Sequence, residues 1–123
     1  MVGANATFNA IKVAASYTRK HQQETNGATT TGGYNHLELG ARYTMGANSF
    51  SIVYDKGVID DARGTGSGDG DKAVWVSAAW ARALGKGVTW HNTLLWGKST
   101  DSAAAANASN DGYALTTGIL VKF

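Results

Sequence analysis

Cysteine and proline are both absent from this 123-residue chain, and no long apolar run occurs in it. Without cysteine the chain has no disulfide framework and no thiolate nucleophile or metal ligand. Without proline, every residue can donate its backbone N–H to a strand ladder. Mean hydropathy is −0.22, and a spanning helix needs about 20 consecutive apolar residues. These absences exclude a helical membrane protein and leave a strand-based fold open.

Charge is also sparse. The chain has 11 basic and 9 acidic residues, for a formal net charge of +2. The basic residues are scattered, so the sequence gives no support to a nucleic-acid partner. The length allows one domain at most, and residues 1–123 are treated as a single unit.

The last residues of the chain alternate with a period of two. One face carries Tyr113, Leu115, Thr117, Ile119, Val121 and Phe123, and the other face is smaller and more polar. Ten steps along a strand span about 33 Å. At a tilt of about 40° this gives roughly 25 Å of height, which is the apolar band of a membrane barrel. The pattern predicts a membrane-spanning strand.

The same alternation predicts five further strands, at about 7–18, 34–45, 49–56, 73–83 and 88–98. Three similar segments, at 1–8, 45–50 and 84–90, predict tight turns that each open a strand. Long polar stretches fill 21–33, 60–71 and 99–111. Long loops that alternate with short turns are typical of outer-membrane barrels. We therefore predict an all-β antiparallel up-and-down meander of about six long strands, part of a transmembrane β-barrel.

The final strand ending in Phe123, with Val121, Ile119 and Tyr113 on the same face, and the Gly-Ala-Asn turns carry a family resemblance. The chain resembles the C-terminal part of a Gram-negative outer-membrane porin of the general diffusion type. The resemblance implies an outer-membrane protein that allows passive diffusion of small hydrophilic solutes and ions, without enzymatic activity or a cofactor. Bacterial single-chain barrels have at least about 8 strands. Six strands therefore predict an incomplete barrel whose N-terminal strands are missing.

The resemblance also implies partners. The barrel-assembly machinery would read the C-terminal strand, through Tyr113, Ile119, Val121 and Phe123. Outer-membrane lipid and lipopolysaccharide would surround the barrel, and the resemblance allows a homotrimer. Four basic residues are expected near the extracellular rim, where they would meet anionic lipopolysaccharide: Arg19, Lys20, Lys56 and Lys98.

Side-chain parity divides the remaining candidates between the two faces of the sheet. The predicted pore-wall charges are Lys12, His36, Glu38, Arg42, Asp55, His91 and Lys122. The predicted membrane-interface aromatics are Tyr17, Tyr43, Phe50, Tyr54, Trp80, Trp90, Trp96, Tyr113 and Phe123. His36 and Glu38 share a face two residues apart and are predicted to form a hydrogen-bonded wall pair. Two ligands without a third give little support for a metal site.

A soluble small-molecule-binding β-barrel of the avidin or lipocalin type is the alternative. Such barrels are also rich in Trp, Tyr, Thr and Gly. Spans of about ten residues count against it, since ordinary strands have about 5–6. The strict alternation of loop lengths counts against it as well.

Overall fold

The seven strands of the protein form one antiparallel sheet, in which the order across the sheet follows the order along the chain. The computed structural model describes residues 1–24, 30–62, 69–101 and 108–123. The strands are β1 Val2–Phe8, β2 Ile11–Glu24, β3 Thr30–Met45, β4 Asn48–Ala62, β5 Asp69–Gly85, β6 Val88–Thr100 and β7 Ser109–Val121. No helix in this described part has the length and hydrophobicity to cross a membrane.

Three two-residue turns join strands at one end of the sheet, which we call the turn end. They are formed by Asn9 and Ala10, Gly46 and Ala47, and Lys86 and Gly87. Asn9, Gly46 and Gly87 have positive φ angles of 53°, 57° and 76°. Hairpin turns of two residues require this left-handed region, which asparagine and glycine adopt most readily. The turns at Gly46 and Gly87 confirm the sequence prediction. We call the opposite end of the strands the loop end. Residues 25–29, 63–68 and 102–107 of the predicted long loops lie outside the described residues.

The sheet contains one strand more than predicted, at the start of the chain. Val2–Phe8 forms β1, whereas the sequence predicted a turn there. That prediction was wrong because Phe8 closes β1 and the turn follows it, at Asn9 and Ala10. The strands also reach further toward the loop end than predicted, with β2 extending to Glu24. Backbone pairing satisfies N–H and C=O groups whatever the side chain, so polar residues continue the ladder.

The strand register separates the side chains into two faces. Rows across the sheet join residues of one kind, such as Ile11, Tyr43, Phe50 and Trp80 on what we call the apolar face. The adjacent row, on what we call the polar face, contains Lys12, Arg42, Ser51 and Ala79. This division agrees with the predicted alternation in every long strand. No hydrophobic side chain among the described residues is buried, so nothing packs against either face as a second layer.

Both edges of the sheet are unpaired within the described residues. β1 pairs with β2 alone and β7 with β6 alone, and β1 and β7 make no contact. The sheet is therefore open, as a segment of a barrel wall would be.

Candidate functional site: the two faces of the sheet

The polar face carries charges of one sign opposite each other. Lys12 on β2 lies directly opposite Arg42 on β3. Two rows nearer the loop end, Glu38 on β3 lies directly opposite Asp55 on β4. His36 and His91 lie on the same face, so the register brings six of the seven predicted wall charges onto one surface. The seventh, Lys122, follows the end of β7, and its backbone N–H donates to the Gly87 carbonyl at 2.8 Å.

One imidazole–carboxylate pair stands out on the polar face. His36 Nε2 lies 2.7 Å from Asp55 Oδ2, and both side chains are partly buried. The ring of Tyr34 stacks on the His36 ring with centroids 5.8 Å apart. We predicted Glu38 as the partner of His36, and this was wrong in the choice of carboxylate. Asp55 is the diagonal cross-strand neighbour of His36, whereas Glu38 follows it on the same strand.

Arg42 is held in a fixed direction on the same face. Its Nε donates to Ser49 Oγ at 2.6 Å, and Ser49 lies one row nearer the turn end. Ser49 therefore lies on the side of Arg42 that is away from Glu38. Arg42 and Asp55 therefore each bind a neighbour in a different row, and the two signs of charge stay apart.

Two aromatic rings cover glycines on the polar face. The Trp75 ring lies over Gly97, its direct cross-strand partner, and the Tyr34 ring lies over Gly57. Gly57 and Gly97 are the buried residues of the described part of the chain. These contacts were not predicted from the sequence. A large aromatic residue at polar-face parity, opposite or diagonal to a glycine, was the signal that could have revealed them.

The apolar face carries aromatic side chains in two bands. Near the turn end lie Tyr43, Phe50 and Trp80 in one row and Trp90 in the next. Nearer the loop end lie Tyr54, Trp96 and Tyr113 in one row and Tyr17 in the next. Many of these rings are well exposed, Tyr113 to 84%. Phe123 follows the end of β7 and lies outside both bands.

The polar atoms of these aromatic residues have partners on the same face. Trp80 Nε1 donates to Asn48 Oδ1 at 3.2 Å, and Trp90 Nε1 donates to Thr117 Oγ1 at 2.8 Å. The two indoles meet edge to face, with centroids 5.1 Å apart. Asn92 lies directly opposite Trp80, two residues after Trp90, and its side-chain nitrogen is buried and has no hydrogen-bond partner. Paired indole N–H groups suit a surface that faces hydrocarbon, where unsatisfied donors are costly.

The comparisons with known proteins agree with this two-faced sheet. The sequence profile of the Gram-negative porin family matches residues 1–102. The chain belongs to the Gram-negative porin family. No curated protein and no solved structure matches it significantly. The family match spans β1 to β6, so the porin's β7, with all four predicted assembly residues in or just after it, lies beyond the matched segment.

The basic residues near the loop end of this porin divide between the faces. Lys56 and Lys98 lie on the apolar face in the row of Tyr17, and Arg19 and Lys72 lie one row further out. Lys20 lies near the same end but on the polar face, opposite Tyr34. Lys72, which was not among the four predicted residues, lies in the row of Arg19. Within the described ranges, no three His, Asp or Glu side chains come close enough to hold a metal ion.

Proposed function

We propose that this porin forms part of the wall of a water-filled barrel in the bacterial outer membrane, through which small hydrophilic solutes and ions diffuse passively. One observation carries the proposal: the register puts the charged residues on one face of the sheet and the aromatic bands on the other. A barrel wall needs this division, with water inside and lipid outside. The proposed role involves no enzymatic catalysis by residues of the barrel wall.

The height of the apolar face supports this proposal. On β6 the apolar face runs from Val88 to Lys98, where a lysine marks its loop-end margin. Ten residues of strand cover about 33 Å. With a strand tilt of about 40° the height is roughly 25 Å, which matches the apolar band of outer-membrane barrels.

Closure of the barrel is the second part of the proposal. An unpaired strand edge exposes N–H and C=O groups, which lipid cannot satisfy. We infer that further strands pair with β1 and β7, whether from the same polypeptide or from another copy. Outer-membrane barrels have short turns on the periplasmic side and long loops outside. The turn end and the C-terminal end of β7 would then face the periplasm.

Two adjacent leucines give a matched test of the proposed pore. Leu94 lies on the apolar face and Leu95 on the polar face of β6. Lysine at the centre of the lipid-facing surface costs about 2–4 kcal/mol. Leu94→Lys should therefore suppress stepwise conductance in planar lipid bilayers. Leu95→Lys should leave the steps in place and shift ion selectivity toward anions. Equal behaviour of the two variants would contradict the assignment of the faces, and a wild-type protein without steps would contradict the pore.

We further propose that the apolar-face cations at the loop end bind the anionic groups of lipopolysaccharide. Arg19, Lys56, Lys72 and Lys98 lie in two adjacent rows at the margin of the apolar face. Lysine and arginine place their charged ends at such a margin while their stems stay on apolar surface. Lys56→Glu with Lys98→Glu should weaken co-purification of lipopolysaccharide, while the matched control Lys20→Glu on the polar face should not. Equal losses in both would overturn this proposal.

The barrel-assembly machinery is the proposed partner of β7. Tyr113, Ile119 and Val121 share the apolar face of this edge strand, which lacks a second neighbour among the described residues. Phe123→Ser should slow the appearance of folded protein in the outer membrane, and Lys122→Ser should not. The same assembly rate for both variants would remove Phe123 from the signal. The homotrimer stays a prediction, which the mass of the protein in mild detergent would test.

A further inference from the structure

The two like-charge pairs of the polar face cost stability where they stand. Like charges directly opposite each other on neighbouring strands repel. We call Glu38 and Asp55 the carboxylate layer, and Lys12 and Arg42 the cation layer. An exchange of one residue between the layers would replace both repulsions with attractions. Stability alone therefore does not explain the arrangement.

The two layers lie at different depths along the strands. Glu38 and Arg42 are four residues apart on β3, which corresponds to about 13 Å. The Debye length at physiological ionic strength is about 8 Å. An ion that moves along the polar face therefore meets the two layers one after the other.

The other charges on the polar face preserve this separation. Lys122 lies beside the last turn, on the cation-layer side. Two rows nearer the loop end than the carboxylate layer, Lys20 and Asp71 carry opposite charges that offset each other. His36 binds Asp55, and His91 lies one row beyond the cation layer.

We propose that the polar face is an axial charge junction that makes the pore rectify ion current; this inference rests on the proposed pore function. When the loop-end bath is positive, cations enter past the carboxylate layer and anions enter past the cation layer. Each layer attracts the ion that enters through it, so the pore fills with carriers. With the voltage reversed, each layer repels the entering ion and the pore is depleted.

The expected size of the effect follows from the charges. At roughly 8 Å from two unit charges in about 0.1 M salt, screened Coulomb energy enriches counterions about twofold. The conductance should therefore be about twofold higher with the loop end positive. In about 1 M salt, where the Debye length is only about 3 Å, the difference should vanish.

Single-pore recordings in symmetric KCl test this inference, with equal voltages of both signs. All recordings are made at one pH, so that protonation does not differ between the variants. Orientation is read from Ala47→Cys at the turn end, labelled from one bath with a membrane-impermeant thiol reagent. The chain has no native cysteine, so this label is unique.

Three variants separate the layers from the total charge. A fourfold exchange (Lys12→Glu, Arg42→Glu, Glu38→Lys and Asp55→Lys) keeps the net charge and should reverse the direction of rectification. Lys12→Gln with Arg42→Gln should abolish most of the rectification. This variant tests the inference if the fourfold-exchanged protein does not fold. Arg82→Glu, on the apolar face opposite Asn48 and Trp90, removes the same two units of positive charge and should leave the current ratio unchanged.

The outcomes are distinct. Conductance steps with symmetric currents in dilute salt would overturn the charge junction and leave the pore intact. Rectification that survives removal of Lys12 and Arg42 charges would overturn it as well. Absence of any conductance step in the wild-type protein would refute the proposed pore, and the junction with it.

Discussion

The glycine under the Trp75 ring gives a sharp test of the polar-face packing. A Cβ at Gly97 would overlap the six-membered ring of Trp75, so Gly97→Ala forces that ring to leave its place over β6. Trp75 as a whole is 45% exposed, so its cover over Gly97 is one of a limited number of contacts that the side chain makes. Displacement of the ring therefore removes a large part of what anchors it.

The size of the effect comes from two opposed terms. Loss of about 60 Å² of ring contact costs about 1.5 kcal/mol. Replacement of glycine by alanine inside a strand stabilises by about 0.5–1 kcal/mol, because the unfolded chain loses freedom. The expected net result for Gly97→Ala is a destabilisation of about 0.5–1 kcal/mol.

Gly40 provides the matched control on the same face. A Cβ there would meet Val53 Cγ2 at 3.8 Å and the Ile52 carbonyl at 3.9 Å, which are ordinary contacts. Gly40→Ala should therefore stabilise the protein by about 0.5–1 kcal/mol. The free energies of unfolding of the two variants should change in opposite directions.

Urea unfolding of the protein in detergent micelles, followed by tryptophan fluorescence, measures these changes. In a Trp75→Leu background the penalty at Gly97 should disappear, as a double-mutant cycle would show. A Gly97→Ala variant as stable as Gly40→Ala would refute the packing argument. So would a penalty that persists without the indole.

Two further predictions use the same unfolding measurement. Asn92→Leu should stabilise the protein by about 1–2 kcal/mol because it removes a buried amide nitrogen without a partner. The control Thr93→Leu, on the polar face, should give no such gain. A loss of stability in Asn92→Leu would indicate that the amide has a partner in the membrane. Gly87→Ala should destabilise by about 2 kcal/mol, since φ is +76° and its Cβ would lie 2.6 Å from the Lys122 carbonyl oxygen. The control Gly46→Ala has the positive φ but no neighbour within 4 Å of its Cβ, so it should destabilise by about half as much. Equal destabilisation by the two variants would mean that the close approach of Gly87 to Lys122 adds nothing to the penalty.

Much of the sheet could be predicted because the period of two follows from the backbone. Successive Cβ atoms of a strand point to opposite faces, so Phe50, Trp80 and Leu94 reach the apolar face wherever the strand ends. The strand ends themselves could not be predicted at the loop end. Pairing there continues through polar residues, which alternate in no visible pattern.

β1 was missed for a different reason. The segment Val2–Phe8 contains small and polar residues. Its Gly-Ala-Asn resembles the later turn at Gly46 and Ala47, yet in β1 these residues are extended. Local sequence similarity did not decide between the two structures, whereas pairing with β2 did.

The contacts between strands were only partly accessible from the sequence. A two-residue turn fixes the register of its hairpin. Counting outward from Gly46 and Ala47 would have placed Glu38 opposite Asp55, and with it the diagonal contact of His36. The stretch between β2 and β3 contains an Asn-Gly turn signal, but a two-residue turn at Asn26 and Gly27 would pair Lys12 with Ala41 and not with Arg42. The pairing of Lys12 with Arg42 therefore could not be predicted.

The absence of a packed interior in the described sheet bears on how this sequence can change over time. Most side chains meet either the polar or the apolar surroundings and few touch a tightly fitted neighbour. The effect of a substitution on stability then depends mainly on the polarity of the new side chain. Exchanges of one apolar residue for another, or of one polar residue for another, leave the fold in place. The rings over Gly57 and Gly97 and the left-handed turn residues are the exceptions. Amino-acid identities at most positions can therefore change during evolution. We expect the alternation of polar and apolar residues to persist longer than the identities themselves.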